Sequence, residues 1–172
     1  PIGIATPALT PCCAWRACLP PLPAMARAHQ LAVQAGDAAI ALADVVVGDV
    51  FLCSGQSNMQ LRLRKCLGGG GPIPRQPLLR VLQLPSTYAQ APSLRSPRST
   101  RGWQPVRDYD VVREYPGLCY FFGRDLQARW LQETGHPLPV GLVASTYKAT
   151  HLQTWLPPEA QRVCAPLAPN NC

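Results

Sequence analysis

An α/β fold built on a parallel sheet is the class this sequence predicts, and three stretches predict it. The apolar, β-branched run Val45–Val47 and Val50–Cys53 breaks abruptly into Ser54-Gly55-Gln56-Ser57-Asn58, the profile of a strand delivering a tight turn to a helix N-terminus. From Gly117 to Gly135, Leu118, Phe122, Leu126 and Trp130 recur at four-residue spacing opposite Arg124, Asp125, Gln127 and Arg129. That spacing predicts a helix with the aromatic stripe in the core and Gly135 just past its end. Pro139-Val140-Gly141-Leu142-Val143-Ala144 is a short continuous apolar run, suited to a parallel strand buried on both faces. With Leu78–Leu84 as a further strand stopped by Pro85, the order strand, helix, strand, helix, strand implies three layers.

The remaining segments fill in around that core. Residues 1–27 are rich in Pro, Ala and Cys, and Pro20-Pro21-Leu22-Pro23 forbids helix, so an irregular segment is expected. Residues 28–44 alternate on either side of the turn signal Gly36-Asp37, predicting a hairpin at the edge of a small β unit. The main domain is assigned to 45–164 and an irregular tail to 165–172. Gln60–Leu67 reads as a short helix ended by Gly68–Gly71 and Pro72, with Arg62, Arg64 and Lys65 on a solvated face. The four glycines lack the following Lys-Ser/Thr of a phosphate loop. Residues 85–116, rich in Ser, Pro and Arg, read as a long surface loop.

Composition narrows the function classes. Sixteen Lys and Arg against nine Asp and Glu give a net charge of +7, which favours anionic partners without naming one. Trp103 and Tyr109 are the only aromatics within the Arg-rich stretch around 95–109, whereas single-strand binders interleave aromatics with the basic residues; no nucleic-acid partner is expected. No run of about 18 apolar residues occurs, so no membrane span is expected. Eight cysteines and three histidines include no C-x-x-C pair, so an oxidising compartment is preferred to a zinc site, with the pairing left open. Twenty prolines, the absence of an opening Met and an end at Asn170-Asn171-Cys172 lead us to expect a fragment or truncated product.

Ser57 is the candidate nucleophile. A hydroxyl at a strand's carboxyl end, beside unpaired backbone N–H groups and a helix N-terminus, can attack a carbonyl while those groups stabilise the oxyanion. From position alone, a helix N-cap is the other role open to it. In a doubly wound sheet the polar residues Ser145–Thr150 would lie at the same carboxyl edge.

Gly48-Asp49-Val50-Phe51-Leu52-Cys53-Ser54-Gly55-Gln56-Ser57-Asn58-Met59 resembles the nucleophile block of the sialate O-acetylesterase family, a branch of the SGNH hydrolases, which reads Gly-Asp-Val-Trp-Leu-Cys-Ser-Gly-Gln-Ser-Asn-Met. Leu118–Arg124 resembles the family's Cys-Trp-Phe-Phe-Gly-Arg helix. Pro139–Tyr147, closed by Trp155, resembles its Pro-Ile-Gly-Leu-Ile-Ala-Ser-Ser-Trp strand. The resemblance covers about residues 28–164, the 60–116 region only loosely. It implies a three-layer, flavodoxin-like SGNH core, incomplete at its C-terminus and preceded by a small β segment. In the strand order 2-1-3-4-5, only the first three strands would be present and the 140–144 strand would be left as an open edge.

The resemblance further implies a cofactor-free, metal-free serine esterase that removes O-acetyl groups from sialic acids or sialoglycans in a secreted or lysosomal setting. Ser57 would be the nucleophile, Gln56 and Asn58 would shape the turn and line the pocket, and Ala149 and Thr150 would serve oxyanion or substrate binding. Departures are equally specific. Lys148-Ala149-Thr150 stands where the family has Gly-Gly-Thr, Gln153 replaces a glutamate, and the family's Gly-Glu-Ser-Asn block and Asp-x-x-His pair do not occur in the sequence. His151, on the same loop, is the substitute base to test. The alternative function is a catalytically inert truncated paralogue that retains glycan binding. The sequence leaves the oligomeric state open.

Overall fold

The structure, a computed structural model, describes residues 18–87, 99 and 101–164, together with the backbone of two short strands, β1 (Ala8–Leu9) and β2 (Trp15–Arg16), which pair antiparallel. The remainder of the 1–27 segment and the 165–172 tail lie outside the described residues. A long hairpin follows, β3 (Met25–Ala35) and β4 (Ala38–Val47), turning at Gly36 and Asp37. It is longer than the alternation predicts: β3 already begins at Met25, and β4 takes up Val45–Val47.

Gly48 separates β4 from β5 (Asp49–Gly55). A Cβ at Gly48 would lie 2.0 Å from the Pro139 carbonyl oxygen, so only glycine lets the chain pass this close. Beyond β5 come a single helical turn, α1 (Ser57–Gln60), and a 3-10 turn at Leu63–Lys65 in place of the helix expected over 60–67. Leu63 and Arg64 N–H instead donate to the carbonyls of Tyr115 and Arg113; these tertiary bonds hold the segment out of helical geometry. Arg62 and Arg64 both reach Glu114, and the Arg64 hydrogen bond, helped by the nearby arginine charges, holds its carboxyl below the usual carboxylate range.

β6 (Gln76–Gln83) forms where the apolar run predicts it. The following region is not simply a surface loop. Its second half folds into β7 (Gln104–Val106), antiparallel to β6, and the helical turn α2 (Tyr109–Val112), with Val106, Val112 and Tyr115 buried. Three apolar residues separated by polar ones were too sparse to reveal a core contribution. Residues 88–98 and 100 lie outside the described residues.

Helix α3 (Gly117–Thr134) ends at Gly135 in the left-handed region, φ 71°. Its orientation corrects the sequence expectation: Leu118, Phe122 and Trp130 are 55%, 45% and 40% exposed, whereas Gly117, Cys119, Tyr120 and Gly123 are buried. The helix docks through its small residues. A Cβ on Gly123 would meet Leu142 at 2.7 Å and Leu79 at 2.9 Å, and a disulfide ties Cys119 to Cys53 of β5.

β8 (Val140–Thr146) completes a four-stranded sheet of order β5-β8-β6-β7, with β8 parallel to both neighbours. Thus β8 is central and β5 is the edge, not the 140–144 strand. The chain returns from α3 between two strands already in place. Burial in β8 alternates, with Val140, Leu142 and Ala144 under α3 and the intervening residues only half-buried, where burial on both faces was expected. Among the described residues one face of this mixed α/β sheet is covered by helix. Across the amino end of the other face lie Trp103, whose ring would meet a Cβ on Gly141 at 3.2 Å, and the β4 end, held by the Arg80–Asp44 pair.

Candidate active site

The parallel register Gly55↔Thr146 brings the carboxyl ends of β5 and β8 side by side. Each ends in a loop; two bonds fix one loop against the other and a third braces the second loop internally. Tyr147 N–H donates to the Gly55 carbonyl at 3.0 Å, Lys148 N–H donates to Gln60 Oε1 at 2.9 Å, and Thr150 Oγ1 donates back to the Tyr147 carbonyl at 2.9 Å. Sequence reasoning placed the two loops together and missed Gln60, whose amide is the clasp; a glutamine one turn beyond a serine carries no motif signal.

Ser57 is exposed and is the first residue of α1, not its N-cap. Gln56 takes the cap position, and its Oε1 accepts both from Ser57 N–H at 2.8 Å and from Ser57 Oγ–H at 2.5 Å. Because α1 is a single turn, its dipole adds little, and the local N–H groups are what remains for an anion. The amide oxygen of Gln56 therefore sits where both the Ser57 hydroxyl proton and the Ser57 backbone N–H converge. An ester carbonyl could take the N–H only after this side chain swings away. Gly55, at φ 140°, precedes them, and a Cβ there would meet Met59 Cγ at 2.8 Å. Asn58 is exposed on the same turn.

Ala149 has φ 58°, the left-handed conformation that glycine adopts at no steric cost. Thr150 is half-buried and also accepts from Trp155 Nε1 at 2.9 Å. His151 is exposed and precedes a 3-10 turn at Leu152–Trp155, its carbonyl accepting from Thr154 N–H. No hydrogen bond joins the His151 side chain to Ser57 among the described residues. Ser54, Gly55, Gln56, Thr150, Leu152 and Trp155 line a cleft of about 560 Å³ immediately before Ser57. Leu152 and Trp155 were not singled out as site residues from sequence, because they lie past the strand in a segment without periodicity.

Below the turn, the Cys53–Cys119 disulfide (Cα–Cα 5.9 Å) pins β5 to α3. Tyr115 OH donates to the Leu142 carbonyl at 2.9 Å beside it, and burial pushes that phenol's pKa well up. Among the described residues Cys18 is an exposed free thiol and Cys66 a half-buried one. Among the described residues, no three His, Cys, Asp or Glu side chains gather as a metal site, and no helix is long and apolar enough to cross a membrane.

No protein-family model matches the chain. Three curated proteins are similar over 128 residues, or 70% of this chain: the sialate O-acetylesterases of Pongo abelii and Homo sapiens at 27% identity and of Rattus norvegicus at 26%. The chain spans about a quarter of their length, 23%, 23% and 22% respectively. Among solved structures, a carbohydrate acetylesterase from Xanthomonas citri matches with a TM-score of 0.66 and 25% identity, over 83% of this chain and 31% of that one. Relatives found by sequence and by fold are thus both acetylesterases.

Proposed function

We propose that this chain is the nucleophile-bearing part of a serine esterase that removes O-acetyl groups from sialic acids or sialoglycans. The observation that carries the reading is the placement of Ser57. It is exposed at the carboxyl end of β5, on a turn whose neighbouring loop is hydrogen-bonded to it through Gly55 and Gln60. In this reading Ser57 Oγ attacks the acetyl carbonyl, and the N–H groups of Ser57 and Ala149 stabilise the oxyanion. Gln56 and Asn58 shape the turn, and a base supplied outside the described residues takes the proton. The three-layer SGNH core belongs to the same proposal, the open sheet face being where a second helical layer would pack. The Cys53–Cys119 disulfide supports a secreted or lysosomal setting.

A specific contact favours a second reading, an inert paralogue that keeps glycan binding. The Ser57 proton is directed to a neutral amide oxygen, not to a base, and an unactivated serine hydroxyl is a weak nucleophile. Acetate release from mono-O-acetylated N-acetylneuraminic acid and from p-nitrophenyl acetate separates the two. Turnover abolished by Ser57→Ala supports the esterase; turnover equal in Ser57→Ala overturns it, and turnover that is absent favours the inert reading for this chain, though not for a longer parent that supplies the base. An unchanged rate in His151→Ala would remove His151 as the base.

A further inference from the structure

The lining of the cleft before Ser57 comes from two segments of different chemistry. Ser54, Gly55 and Gln56 come from the end of β5 and its turn; Thr150, Leu152 and Trp155 come from the loop after β8. The polar side-chain atoms that the second segment contributes are already engaged. The only polar atom of the indole, Nε1, donates to Thr150 Oγ1, and the Thr150 hydroxyl spends its own proton on the Tyr147 carbonyl, both at 2.9 Å. Neither side chain therefore has a hydrogen left to donate to a ligand. What this segment offers is carbon: the half-buried indole, held in one orientation by its bond to Thr150, and Leu152, which is 66% exposed.

A site lined by one hydrogen-bonding segment and one rigid carbon segment fits a ligand divided in the same way. A pyranose ring is such a ligand, since its C–H face is apolar and its hydroxyls project around the rim. An indole fixed by its own polar tip presents apolar area at little entropic cost on binding. The volume, about 560 Å³, lies within the range of roughly 300–1,000 Å³ usual for small-molecule sites.

We infer that Leu152 and Trp155 form the sugar subsite, on which the pyranose ring of the substrate rests while its acetyl group reaches Ser57. This rests on the esterase reading for the position of the acetyl group, but not for the binding itself. Thr150 is a positioning residue: it acts through Trp155, holding the indole against the cleft, and gives no hydrogen bond to substrate.

Saturation-transfer NMR and calorimetry with the α-methyl glycoside of N-acetylneuraminic acid, which has no ester to cleave, test the subsite on the full chain. Trp155→Ala is expected to weaken binding at least tenfold. Trp155→Phe, which keeps a ring but loses the latch, should fall between Trp155→Ala and the unmodified chain, as should Thr150→Val, and Trp103→Phe should bind normally. Thermal melts establish that each variant folds, and the Phe and Val variants decide the matter if Trp155→Ala does not. Equal binding by the unmodified chain and the Trp155 and Thr150 variants, or no binding by the unmodified chain, overturns the inference. So does binding of p-nitrophenyl acetate in place of the glycoside.

Hydrolysis separates this failure from failure of the esterase reading. If Trp155→Ala keeps Ser57-dependent turnover of p-nitrophenyl acetate and loses that of the acetylated sugar, the subsite is upheld. If no turnover depends on Ser57, the esterase reading falls for this chain and the glycoside titration still decides the subsite.

Discussion

Ala149 combines an ordinary side chain with a backbone reserved for glycine. At φ 58° an L side chain costs roughly 1–2 kcal/mol, offset in part by the 0.5–1 kcal/mol of chain entropy that alanine saves over glycine in the unfolded state. Ala149→Gly should therefore stabilise the protein by about 0.5–1 kcal/mol, read as a higher denaturant midpoint at unchanged slope. A midpoint that stays put or falls would mean the loop relaxes out of this conformation. This strain was legible in the sequence, because the resembling loop has glycine where Ala149 stands. The Gln56 contact was not. N-capping rules favour Ser, Thr, Asp and Asn, and they pointed to Ser57 as the cap, whereas a glutamine is long enough to fold back and accept from both Ser57 groups. Sequence singles out a candidate residue more readily than it identifies which rotamer of its neighbour stands against it.

The same distinction governs the elements. A four-residue repeat found α3 and its end at Gly135, but of the stripe it marked only Leu126 packs against the core, while Leu118, Phe122 and Trp130 are exposed. Hydrophobicity measures what can be buried; close approach decides which face is buried, and here Gly123 and Cys119 permit it. The β4 end shows a polar counterpart. Asp44, at φ 59°, accepts from Arg80 Nη1 at 2.7 Å and Nη2 at 2.9 Å. The guanidinium is largely withdrawn from solvent and its Nε has no partner among the described residues. That hydrogen-bonded pair holds the Asp44 carboxyl below its usual pKa, so it is ionised more readily folded than unfolded. Its contribution to stability is therefore complete above the ordinary carboxylate pKa of about 4 and is lost as pH falls through the lower folded value. Asp44→Asn, which still tolerates the left-handed backbone, should be less stable at pH 7 and should show a shallower loss of stability below about pH 4. Parallel stability curves for the two proteins would show that Arg80 does not depend on this carboxylate.

For the whole molecule, strand identity was readable and strand order was not. Runs at Val50–Cys53, Leu78–Leu84 and Pro139–Ala144 all became neighbouring strands, yet the long connections before and after β6 allow either side of β5, and the chain places β8 between β5 and β6. Among the described residues that order makes β5, which leads to Ser57, an edge strand with a parallel partner on one side only. Its outward face is apolar: Val50 is 64% and Leu52 68% exposed. An apolar edge of this kind is a site for unintended pairing between chains. Poor solubility of the 172-residue chain is therefore expected from β5, not from the open 140–144 strand that the sequence predicts. Leu52→Lys with Val50→Thr should raise the soluble yield several-fold and reduce light scattering. Because both side chains are mostly in water already, the melting transition should change little, within about 0.5 kcal/mol for each substitution. A transition lowered by several times that amount, with no gain in solubility, would show that the face is covered when the chain folds.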